Sequence, residues 1–68
     1  MLRDEDVKVA IGRRVGGGSF VRVTHLPTGR SRYVGPLHGE SPDAVIRRLC
    51  GEIESELREV GLMDFVDN

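Results

Sequence analysis

No tryptophan occurs in this sequence, and aromatic rings are confined to Phe20, Tyr33 and Phe65. A core built from 68 such residues has to be aliphatic and thin. A second copy of the chain would supply the missing burial, so a homodimer is an expected partner. One cysteine, Cys50, rules out an internal disulfide and suits a reducing compartment. No apolar run approaches the ~20 residues that cross a bilayer. The opening Met1-Leu2-Arg3-Asp4-Glu5-Asp6 is acidic, unlike a secretory leader. These absences lead to the expectation of a cytoplasmic protein with no membrane partner.

Acidic residues are also missing from one long stretch. Residues 7–39 contain Lys8, Arg13, Arg14, Arg22, Arg30 and Arg32 and not a single Asp or Glu. The acids are gathered at the two ends: Asp4, Glu5 and Asp6 first, then eight more after residue 39. A formal charge of −1 therefore conceals a basic first half and an acidic second half.

The pattern predicts an α+β fold of order β-β-β-α, in which a three-stranded antiparallel meander packs against one long C-terminal amphipathic helix. A single small domain spans residues 1–68, with a frayed, disordered start over 1–6, sheet over 7–38, helix over 41–61 and an apolar tail over 62–68. Val7-Lys8-Val9-Ala10-Ile11 alternates with the two-residue period of a strand. Gly16-Gly17-Gly18 breaks it. Ser19–His25 follows as a second strand that turns Val21 and Val23 inward. Leu26-Pro27-Thr28-Gly29 reads as a turn, and Arg30–Val34 as a third strand, with Tyr33 toward the helix and Arg30, Arg32 and Val34 away from it. Ser41 is a good helix N-cap, Pro42 suits the first turn, and Gly61 suits the left-handed residue beyond the end. Ile46, Leu49, Cys50, Ile53, Leu57 and Val60 make the apolar stripe.

Little here suggests catalysis. The glycine run lacks the Gly-Lys-Ser/Thr continuation of a phosphate loop and leads into a strand, so it reads as a flexible hairpin. His25, His38 and Cys50 have no metal-ligand spacing and read as two surface imidazoles and a core thiol. The carboxylates crowd a solvated helix face. The expectation is a non-enzymatic domain with no cofactor, no metal and no small-molecule substrate.

The outer sheet face is the candidate site. If alternation holds, Lys8, Arg22, Arg30 and Arg32 gather there with Phe20, Thr24 and Val34, and Arg13 and Arg14 lie at the adjoining loop. Arginines on a small sheet can grip phosphate or a guanine edge, so DNA or RNA is the expected partner. The plain alternative is a solvated strand face whose charges block edge association. A further alternative is a protein-interaction or dimerisation module that uses Leu62, Met63, Phe65 and Val66 of the tail.

Gly18-Ser19-Phe20-Val21-Arg22-Val23, Pro27-Thr28-Gly29-Arg30 and Arg32-Tyr33-Val34-Gly35-Pro36-Leu37, leading into Ser41-Pro42-Asp43-Ala44-Val45, resemble two DNA-binding modules. These are the sheet-plus-helix domain of plant ethylene-response factors and the arm-site-binding domain of tyrosine integrases. That resemblance implies that Arg22, Arg30 and Arg32 face DNA. Gly39-Glu40-Ser41-Pro42-Asp43-Ala44-Val45 before an acidic helix is also similar to HicB-type antitoxin domains, which implies protein contacts and dimerisation. Val21–Gly29 is similar to a hairpin of class I peptide-chain release factors, and implies a hairpin without their Gly-Gly-Gln chemistry.

Overall fold

The computed structural model describes residues 2–62 and Asp64. Three strands, β1 (Val7–Arg13), β2 (Ser19–His25) and β3 (Arg30–Val34), form one antiparallel sheet in the order β1-β2-β3. The helix α1 (Pro42–Glu59) lies across one face of it. The expected β-β-β-α arrangement is the one observed.

Local chemistry accounts for the element boundaries. Gly16, Gly17 and Gly18 adopt φ of 97°, 113° and 82°, left-handed values that side-chain-bearing residues avoid, so the run is a hairpin turn. The Ser41 side chain accepts a hydrogen bond from the Ala44 N–H at 3.1 Å, and Pro42 opens the first turn. The helix stops after Glu59, with Gly61 at φ 79° just beyond.

Val21 and Val23 of β2 meet Val45, Leu49, Ile53 and Leu57 of α1 in a fully aliphatic core. These helix positions step by four residues and hold the centre of the apolar stripe. Val45, absent from the expected stripe, is buried, whereas Val60 is exposed. Ile46 and Cys50 lie on its flank, half-buried.

Three expectations need correction. The start of the chain is not a frayed end: Asp4–Asp6 form a 3-10 turn, and Leu2 is buried in the core cluster. An aliphatic side chain next to so small a core gains more by joining it than by staying in water. His25 is not a surface imidazole either. Its parity with Val21 and Val23 turns it under the helix, where it is fully buried with Nδ1 2.8 Å from Thr28 Oγ1.

The third correction concerns β3. His25 pairs with Arg30, Val23 with Arg32, and Val21 with Val34. Residues directly opposite in an antiparallel pair share a face, so Arg30, Arg32 and Val34 lie on the helix side. Tyr33, opposite Arg22, lies on the outer side.

The helix rests on β2 and β3. Most of the inner face of β1 is left uncovered, with Val9 40% and Ile11 55% exposed.

Candidate nucleic-acid interface

The outer face is assembled by register. Lys8 lies opposite Thr24, Ala10 opposite Arg22, and Gly12 opposite Phe20. Arg22 is in turn opposite Tyr33, and Thr24 opposite Ser31. Across the middle of this face the Phe20 and Tyr33 rings stack with centroids 5.6 Å apart and planes 26° apart. The Arg22 guanidinium carbon is 5.6 Å from the centroid of Tyr33, within cation–π range.

Two glycines let the rings lie close to the backbone. A Cβ on Gly12 would stand 2.7 Å from the Phe20 ring. A Cβ on Gly35 would stand 2.9 Å from the Tyr33 hydroxyl, 3.0 Å from Phe20 Cβ and 3.1 Å from Arg14 Cδ. Arg14 therefore reaches over the same ground as the two rings. A shallow depression beside them is lined by Ala10, Arg14, Val15, Phe20, Arg22 and Tyr33. Tyr33 is 47% exposed at its centre.

Among the paired strand residues no carboxylate lies on this face. Among the described residues Lys8, Arg14 and Arg22 form no ion pair. What remains is an aromatic pair with Arg14 and Arg22 beside it and Lys8 further along the same face.

The other expected cations are not part of it. Arg30 Nε donates to Glu56 Oε1 at 2.9 Å, and Arg32 Nη2 donates to Glu56 Oε2. Arg32 Nε is also 3.7 Å from Glu52 Oε1. Both guanidiniums are therefore spent on the helix, bridging β3 to two carboxylates one turn apart. The Glu56 carboxyl sits below its ordinary value: its own desolvation opposes this, but hydrogen bonds and charge from Arg32 and then Arg30 outweigh it. Arg13 ends β1 with inner-face parity and is exposed.

The aromatic pair was missed in the sequence because Tyr33 was assigned to the core side. One signal pointed the other way. Arg30 and Arg32 alternate in step with Glu52 and Glu56, which flank the buried Leu49 and Ile53 on the helix.

Of the tail residues proposed for protein contact, Leu62 is half-buried, packs on the core and donates its N–H to the Leu57 carbonyl at 2.8 Å. Met63, Phe65 and Val66 lie outside the described residues. Cys50 is half-buried, and its thiol is pushed up by burial and then by Asp4 and Glu54, which disfavours the nucleophilic thiolate. Among the described residues no group of His, Cys, Asp and Glu could hold a metal ion, and no helix is long and apolar enough to cross a membrane. Comparison of the chain with protein-family models, with curated proteins and with solved structures gave no match.

Proposed function

We propose that this protein binds single-stranded nucleic acid on the outer face of its sheet. The observation that carries the reading is the stacked Phe20–Tyr33 pair, flanked by Arg22 and Arg14, on a face whose paired strand residues include no acid. Every base has a π-face, so the exposed Tyr33 ring, backed by half-buried Phe20, can accept unpaired bases at about 1–3 kcal/mol each. Cations around such rings follow the backbone phosphates. The helix, with five acids against three arginines, supports the reading by its position on the opposite side, away from phosphate.

A duplex groove is the weaker fit. Major-groove readers on a sheet need several side chains aimed outward, and Arg30 and Arg32 are held under the helix by Glu56. Of the three arginines that the resemblance to DNA-binding modules brings to DNA, only Arg22 remains on the open face.

Fluorescence anisotropy at low salt with labelled 12-residue oligo-dT, oligo-U and a 12-base-pair duplex tests this. Single strands should bind in the micromolar range and the duplex more weakly. Replacing Tyr33 by Ala should weaken single-strand binding by about 5- to 150-fold, the equivalent of one stacked base. Absence of single-strand binding at tens of micromolar would end the proposal. So would an unaltered affinity in Tyr33→Ala.

A further inference from the structure

We infer that β1 is a docking edge for a second copy of this chain, pairing antiparallel with its counterpart about a two-fold axis at Ala10. The inference is independent of the nucleic-acid reading.

The direction of the backbone groups comes first. The Arg14 N–H donates to Gly18 O and the Leu26 N–H to Asp6 O. Residues of even number on β1 thus exchange their bonds with β2. Val7, Val9, Ile11 and Arg13 therefore point their N–H and C=O groups outward along an edge that no described strand pairs. On β3 the same alternation leaves only Ser31 and Tyr33 pointing outward, in a strand of five residues. The long open edge belongs to β1.

The side chains beside that edge are apolar and uncovered. Val9 and Ile11 are the exposed ones, and a cleft of about 470 Å³ between β1 and α1 adjoins them, lined by Leu2, Val7, Val9, Ile46 and Cys50. Natural sheets blunt a free edge with charge, proline or a bulge; Val7–Ile11 carries only Lys8, on the outer face, and its helix-side positions are all apolar. An edge of this kind suits a strand, and a copy of itself fits in one register without conflict.

With Ala10 opposite Ala10, the full seven residues of each β1 overlap. Val9 then faces Ile11 of the other copy twice, on the helix side. Lys8 faces Gly12, so no like charges are opposed. Four residues on each strand contribute one N–H and one C=O each, which gives about eight hydrogen bonds across the axis. Arg13 faces Val7 of the other copy, beside a cleft whose rim carries Asp4, Asp43 and Glu54 against Arg47. Among the described residues Arg13 has no carboxylate partner in its own chain. The second copy supplies an acidic neighbourhood for it. The product is a six-stranded sheet with both helices on one side and one continuous basic, aromatic face on the other.

Sedimentation velocity on the full chain at about 10–100 µM, above the micromolar weak end of protein–protein affinities, should show a species of twice the 7.5 kDa chain mass. Ala10→Arg opposes two guanidiniums on the axis and should return the monomer with an unchanged far-UV circular dichroism spectrum. Ala10→Cys in a Cys50→Ser background should become a covalent dimer when oxidised glutathione accepts the two electrons and two protons of the thiol pair. A wild-type monomer throughout this range would overturn the inference. A dimer that Ala10→Arg leaves intact and Ala10→Cys fails to cross-link would overturn it equally, by assigning the contact to another surface.

Discussion

Arg22 and Arg32 carry the same charge, lie on neighbouring strands and are opposite in role, so exchanging each for Ala gives a sharp test. Arg22 stands on the open face beside Tyr33, with no carboxylate partner. Arg32 sits beneath the helix with Glu56 and Glu52. Three cations without an ion pair among the described residues belong to this face, Arg14 and Arg22 beside the rings and Lys8 further along β1. At about 0.7 released counterions per phosphate contact on a single strand, binding by one chain should vary with salt at a log–log slope near −2. Removing Arg22 should bring that slope to about −1.4, through the loss of one phosphate contact. Stability should hardly change, because the side chain is exposed. Removing Arg32 should leave the slope untouched. It breaks two partly exposed ion pairs, each worth about 0.2–1 kcal/mol after screening, for a loss near 1 kcal/mol. In a domain of this size that loss lowers Tm by about 4–8 °C. Anisotropy titrations at four salt concentrations and a thermal melt read both quantities on the same samples. If Arg32→Ala flattens the salt slope as much as Arg22→Ala, or if Arg22→Ala lowers Tm as much as Arg32→Ala, the division of the sheet into a binding face and a bridging face is wrong.

The remaining expectations concern stability. Ile53 is fully buried at the centre of the helix stripe, so Ile53→Ala should cost about 2–5 kcal/mol in denaturant unfolding, enough to unfold much of so small a domain. Glu56 has a lowered carboxyl pKa in the folded protein, so its stabilisation is present above the ordinary value of 4.5 and is lost as pH falls through the lowered one. The stability gap between wild type and Glu56→Gln should therefore be widest near neutrality and close in acid; a gap independent of pH would refute the assignment. Gly18 combines a φ of 82° with a would-be Cβ 2.6 Å from Pro36 Cβ, so Gly18→Ala should lower Tm more than Gly17→Ala, whose surroundings are open. Equal losses would show that backbone strain alone governs the turn.

The helix was readable in the sequence because its signals are local: a serine cap, a proline in the first turn, a four-residue apolar repeat and a glycine stop. Each acts within one or two turns, and tertiary contacts had nothing to override. The strands were readable for a similar reason, since valine alternation and glycine or proline breaks mark both their extent and their ends. The candidate site was only half legible. On β2, Val21 and Val23 leave no doubt about the inner side, and Phe20 and Arg22 follow to the outer one. On β3, Tyr33 and Val34 are both apolar and adjacent, so alternation permits either face. His25 shows the same limit, because a lone imidazole at an inward position satisfies the pattern without saying whether the helix will cover it.

Composition and local pattern were enough to determine the order of the elements, the turn chemistry and the separation of a basic half from an acidic one. Which arginines are free to meet a ligand was decided only by the pairing of β3 with β2. Register is a long-range property: a shift of one residue moves every side chain of a strand to the other face. Here it was set by the burial of Val21 and Val23, with Val34 packed against them, and by two carboxylates a helical turn apart, which hold Arg30 and Arg32 on the helix side and leave Tyr33 on the other.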